Sequence, residues 1–121
     1  MPKYTLKAKS VVDFQFHMNP DLTETELTVN VKSDFGTPTD ENDASGMIKS
    51  QIRINAKDED QFNVFYCVIM IYSFDETPDD TEAFLRKIYE KEGYAKVSDD
   101  LDALLESMGK PPFKIKDHII G

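Results

Sequence analysis

The chain has 121 residues, of which 40% are hydrophobic and 31% are charged. This composition is typical of one globular domain and excludes a disordered or fibrous chain. Its 14 Lys and Arg residues against 23 Asp and Glu residues give a formal net charge of −9. Because so acidic a surface repels phosphate groups, we expect no nucleic-acid partner and no docking on anionic lipid.

Hydropathy and cysteine content indicate the cellular compartment of the protein. The longest apolar run, Val64 to Tyr72, is too short to cross a membrane, so we expect no membrane insertion. The single cysteine, Cys67, excludes an intramolecular disulfide and is typical of a reducing compartment. We therefore expect a cytoplasmic protein that forms a single domain over residues 1–121.

The first two thirds of the chain alternate between apolar and polar residues, which is the period of a β-strand. Four strands are predicted, at Lys7–Met18, Leu27–Lys32, Met47–Ala56 and Gln61–Phe74. In the first strand, Val12, Phe14, Phe16 and Met18 are expected on the buried face. The stretch from Asp34 to Gly46 is rich in glycine and acidic residues, which predicts a loop.

The fourth predicted strand differs from the others because both of its faces are apolar. One face carries Val64, Tyr66, Val68, Met70 and Tyr72, and the other carries Phe65, Cys67, Ile69 and Ile71. A single helical layer covers only one face of a sheet, so the second face needs another cover. That cover is either the rest of this chain, a second copy, or an apolar segment of another polypeptide.

The last third of the chain changes to helical spacing. A capping box at Asp79 and Glu82 precedes an apolar stripe that we expect to end at Gly93. A second helix is predicted to begin at Ser98 and to end at Gly109. The order of elements predicts an α+β fold, in which a four-stranded antiparallel sheet is followed by two C-terminal helices packed on one face.

Residues that could carry catalysis are few. His17 and His118 have no neighbouring partner in the sequence, and Cys67 lies in the most apolar stretch, where a thiol is usually inert. The acidic run Asp40-Glu41-Asn42-Asp43 lacks the ligand spacing of a calcium loop, so a solvated loop is the better interpretation. We expect no enzyme activity, no cofactor and no metal site.

Two segments carry a resemblance to a known family. They are Asp13-Phe14-Gln15-Phe16-His17-Met18-Asn19-Pro20 in the first strand and Ser107-Met108-Gly109-Lys110-Pro111-Pro112-Phe113-Lys114-Ile115 near the end. Together with the order of elements, they resemble the SecB family of protein-export chaperones over most of the chain. The resemblance implies a homotetramer that holds unfolded polypeptides in hydrophobic grooves without ATP. It also implies that Asp13 docks the translocase motor.

Two functional hypotheses follow from these observations. In the first, the protein is a homo-oligomer, dimer or tetramer, that binds unfolded or apolar polypeptide segments, with Phe65, Cys67, Ile69 and Ile71 as the binding or oligomer surface. In the second, it is an acidic adaptor or regulatory subunit that captures a folded basic protein through six carboxylates. These are Asp40, Glu41, Asp43, Asp58, Glu59 and Asp60.

Overall fold

The computed structural model describes residues 3–20, 27–37, 44–58, 61–110 and 112–114. Within these residues, four strands form one antiparallel sheet and a helical segment covers one of its faces. The structure therefore confirms the predicted α+β class. The acidic run 40–43, Glu59, Asp60 and His118 lie outside the described residues, so the interpretations placed on them stay predictions.

The sheet has the order β1-β4-β3-β2, and all of its neighbouring strands are antiparallel. Its strands are β1 (Tyr4–Met18), β2 (Leu27–Gly36), β3 (Ser45–Ala56) and β4 (Phe62–Phe74). β2 extends into the predicted loop because Phe35 continues the alternation and packs edge-on against the ring of Tyr89. The doubly apolar β4 lies in the interior of the sheet, paired on both sides.

The helical segment is continuous, which corrects the prediction of two separate helices. It consists of α1 (Thr81–Ile88), a π-helical turn (Tyr89–Gly93) and α2 (Tyr94–Ser107). Its N-cap is Asp80 rather than Asp79, since the Asp80 side chain accepts a hydrogen bond from the backbone N–H of Ala83 at 3.1 Å. Gly93 has an ordinary helical φ of −62°, and Ser98 is buried in the helix rather than capping it.

The π-helical turn explains how one helix accommodates two apolar stripes. Ile88 and Val97 are both buried, although a regular α-helix, at about 100° per residue, would turn them to opposite sides. A π-turn takes one more residue per turn, so it rotates the second stripe back toward the sheet. Both stripes therefore face the same sheet without a break between them.

The core lies between this helix and the near face of the sheet. The largest fully buried side chains from β3 and β4 are Ile48, Ile52, Ile54, Tyr66, Met70 and Tyr72, and the helix adds Leu85, Leu101 and Leu105. A buried polar contact crosses the layer, where Ser50 Oγ and Tyr89 Oη lie 2.8 Å apart. This hydrogen bond satisfies two buried hydroxyl groups that would otherwise be costly to desolvate.

The segment after α2 returns to the body of the protein. The buried carboxylate of Asp102 accepts hydrogen bonds from the backbone N–H of Phe113 at 3.0 Å and of Lys114 at 3.2 Å. The ring of Phe113 packs against that of Phe62 with centroids 5.8 Å apart. The segment is therefore held at the end of the sheet where β4 begins.

Candidate functional site

The face of the sheet that points away from the helix, called here the outer face, carries the apolar residues singled out in the sequence. Phe65, Cys67, Ile69 and Ile71, called here the β4 strip, lie there in a row. None of them belongs to the hydrophobic cluster between the sheet and the helix. Phe65 and Ile69 are half-buried, Cys67 is buried and Ile71 is 42% exposed. The sheet thus presents apolar surface on the side that the described helical segment does not cover.

Asp13, the predicted docking residue, lies on the same face as the β4 strip. It is the cross-strand partner of Cys67, and its carboxylate accepts a hydrogen bond from Gln15 Nε2 at 3.1 Å. The structure therefore brings the two predicted sites together in one surface. The roles of Asp13 and of the β4 strip in binding stay predictions.

Basic residues lie along the other side of the β4 strip, on β3. Arg53 and Lys49 are the cross-strand partners of Phe65 and Ile69. The Arg53 guanidinium stacks over the Phe65 ring at 4.9 Å from its centroid, and its Nη1 donates to Asn63 Oδ1 at 3.3 Å. The alternation of β3 predicts that these side chains point outward, but only the pairing of β3 with β4 places them beside the apolar row.

A second candidate surface, not predicted from the sequence, is a cleft of about 350 Å³ between β1 and α2. This β1–α2 cleft is lined by Lys9, Val11, Tyr66, Asp100, Ala103, Leu104 and Ser107. Lys9 Nζ and Asp100 Oδ2 form an ion pair at 2.7 Å across it. Its lining is otherwise mostly apolar, which suits an apolar side chain better than a charged ligand.

The buried hydroxyl of Tyr66 gives this cleft an unusual polar group. Tyr66 Oη has no hydrogen-bond partner among the described residues. Its burial, and then the nearby negative charge of Asp100, raise the pKa of Tyr66 to about 12. Tyr66 therefore stays neutral at physiological pH and is not a candidate base.

The position of Val12 corrects the sequence interpretation of β1. Pairing with β4 shifts between Val11 and Asp13, so Val12 is the extra residue of an irregularity in the strand. Val11 thereby lines the β1–α2 cleft, and Val12 is 52% exposed instead of buried. A single inserted residue changes which neighbours point inward, and the strand period alone does not reveal it.

Neither a cluster of metal ligands nor a membrane-spanning helix occurs in the described part of the chain. It contains no group of three or more His, Cys, Asp or Glu residues that could hold a metal ion. None of its helices has the length and hydropathy needed to cross a membrane.

Comparison with known proteins shows a likeness in fold. No family model and no curated protein sequence matches the chain. Among solved structures, the chain is similar to the SecB-like chaperone Rv1957 of Mycobacterium tuberculosis, described in complex with a ChAD peptide from the Rv1956 HigA1 antitoxin. The TM-score is 0.61 at 10% sequence identity, and the match covers 91% of this chain and 83% of that chain. The protein therefore shares its α+β fold with a SecB-like chaperone.

Proposed function

We propose that this protein is an ATP-independent, chaperone-like protein that binds apolar segments of unfolded polypeptides on the outer face of its sheet. The β4 strip carries this proposal, because it is apolar and lies outside the cluster between sheet and helix, with Ile71 42% exposed. The shared fold with a SecB-like chaperone that is in complex with a peptide supports it. A fold by itself does not fix a function, and it is this chain's own apolar surface that favours polypeptide binding. A link to protein export, resting on Asp13, stays a prediction.

Calorimetry with a reduced protein that cannot refold tests the proposal. We expect binding with a negative heat-capacity change that persists at high salt, because apolar surface is buried. Ile69→Asp should weaken binding at least about tenfold, since it places a charge in the apolar row. Met108→Asp adds the same charge at an exposed apolar residue on the helix side and should bind like wild type.

Two results would contradict this function. An absence of binding at both low and high salt would remove it. Binding of a folded basic protein that weakens steeply with salt would instead support the acidic adaptor, since salt screens long-range attraction. Of the carboxylates assigned to that alternative, Asp58 lies in the described residues.

We also propose that the protein is a homo-oligomer that associates through the β1–α2 cleft. Val11, which lines the cleft, is 48% exposed, and its neighbour Val12 is 52% exposed. β1 is an edge strand with β4 as its one neighbour in the described sheet, so a two-fold contact would cover these valines in both copies.

Light scattering is expected to give the mass of a dimer or tetramer. Val12→Asp should lower that mass toward 13.8 kDa without loss of secondary structure, because a carboxylate in an apolar contact is costly to desolvate. Ile69→Asp, on the outer face, should keep the wild-type mass. A wild-type mass of 13.8 kDa at every concentration would contradict self-association.

A further inference from the structure

We propose that the segment bound by the β4 strip is an amphipathic α-helix of a partner polypeptide, with carboxylates along one side of its apolar stripe. This inference rests on the proposed function and names the kind of segment that the outer face takes. Three features support it: the β4 backbone is fully paired, the apolar row has the length of an ordinary helix, and basic residues lie beside that row.

The backbone of β4 has no free N–H or C=O groups for a segment that lies on the outer face. β4 is paired along its length with β1 on one side and β3 on the other. An extended segment laid over it would meet only side chains, and its own N–H and C=O groups would find no partners in the sheet. A helix satisfies these groups internally, so it can lie on a sheet face at no such cost.

The length of the β4 strip fits a helix of ordinary size. Phe65 and Ile71 are six positions apart on one strand, which spans about 20 Å. A helix that rises about 1.5 Å per residue covers this distance in about 13 residues. Apolar residues three and four positions apart on such a helix would form a stripe along the whole row.

The charges beside the β4 strip favour carboxylates on the bound helix. Lys49 and Arg53 lie directly beside the row on β3, and Lys32 lies next to them on β2, opposite Gln51. The β1 side carries Ala8, Ser10, Asp13 and Gln15 opposite the strip. The outer face therefore has a basic flank on one side of its apolar row.

These basic groups are available to a partner. In the described residues, neither Lys32 nor Lys49 has a carboxylate within the 4.0 Å of an ion pair, although Asp34 lies across from Lys49 in the ladder. Arg53 uses one N–H on Asn63, and a guanidinium has five donors. Carboxylates on a bound helix could thus reach three cations.

The net charge of −9 does not outweigh this local arrangement. Carboxylates of the helical layer are separated from the outer face by the thickness of the sheet and core, about 10 Å. At physiological ionic strength the Debye length is about 8 Å, so charges at that distance are largely screened. The cations that touch the bound segment therefore decide which flanking charge it prefers.

Three labelled helical peptides test the inference. They share one apolar stripe of about 13 residues and carry Glu, Gln or Lys along one flank. Fluorescence anisotropy at physiological ionic strength should rank their affinities Glu over Gln over Lys. The Glu peptide should bind about tenfold more tightly than the Lys peptide, as expected for two or three exposed ion pairs. A proline in the middle of the Glu peptide should abolish its binding, because it breaks the helix.

A charge reversal on the outer face, with a matched control, assigns the effect to the basic flank. Lys49→Glu should remove or invert the preference for the Glu peptide and leave the affinity for the Gln peptide within about twofold. Lys87→Glu changes the net charge equally, but Lys87 is exposed on α1 at the other side of the sheet. This control variant should keep the wild-type ranking.

Each outcome bears on one proposal. Equal binding of the Glu and Lys peptides, or undiminished binding of the proline peptide, would overturn this inference and leave the proposed function in place. Failure of all peptides and of the unfolded model protein to bind would overturn the proposed function itself. A lower oligomer mass in Ile69→Asp would show that a second copy covers the β4 strip, which would also overturn this inference.

Discussion

Raising the pH from about 10 to about 12 should destabilise the fold by about 4 kcal/mol. Tyr66 and Tyr72 are fully buried, and the pKa of each is raised from 10.0 to about 12. Burial is the main cause for both pKa shifts, followed by the charge of Asp100 at Tyr66 and of Glu92 at Tyr72. Each raised unit is worth about 1.4 kcal/mol of difference between the folded and unfolded states.

The direction of this pH effect follows from proton binding. Between pH 10 and 12 the unfolded chain has lost the phenol protons of these tyrosines, while the folded protein keeps them, so stability falls as the pH rises. Below pH 10 both states hold the protons and the contribution is fully present. The stabilisation is lost as the pH passes through the folded pKa of about 12.

Urea unfolding at a series of alkaline pH values measures this loss, and the absorbance of the phenolates measures the titration. Tyr72→Phe should remove about half of the pH dependence, because one of the two shifted groups is gone. A free energy of unfolding that stays constant between pH 10 and 12 would contradict the assignment of these tyrosines as buried neutral groups.

Leu105→Ala should lower the free energy of unfolding by about 2 to 5 kcal/mol. Leu105 is fully buried on α2 and packs in the core between helix and sheet, so its truncation removes apolar contacts and leaves a cavity. Met108→Ala, one turn further along at a residue that is 41% exposed, should change stability by less than about 0.5 kcal/mol.

Chemical denaturation with urea compares the two variants under the same conditions. The slope of the unfolding transition should be unchanged, since neither substitution alters how much surface unfolding exposes. Equal stability of Leu105→Ala and Met108→Ala would show that α2 does not pack on the sheet as described.

Local patterns in the sequence predict the elements of this fold well but miss what depends on long-range contacts. The two apolar faces of β4 are visible in its alternation, and the structure places one in the core and the other on the outer face. The alternation of β1 predicts the wrong face for Val12, because an inserted residue interrupts the period of the strand. Glycine after an apolar stripe predicts a helix end at Gly93, but its helical φ of −62° depends on packing, not on residue type.

Of the candidate surfaces, likewise, one can be predicted from a local sequence pattern and the others cannot. The β4 strip follows from a single segment, so the sequence alone identifies it. The β1–α2 cleft joins Val11 to Leu104, which are far apart in the chain, and no local pattern brings them together. The basic flank on β3 likewise depends on which strands pair. Tertiary contacts decide both features.

The hydrogen bonds of Asp102 also make residues beyond the helix a part of the folded structure. Its carboxylate is buried in α2 and accepts backbone N–H groups from Phe113 and Lys114, beyond the last helical residue, Ser107. A version of the chain shortened to the helix end would lose these donors, and a buried carboxylate without partners is strongly destabilising. The minimal autonomous unit thus includes a short non-helical extension, and expression boundaries chosen from secondary structure alone would cut inside it.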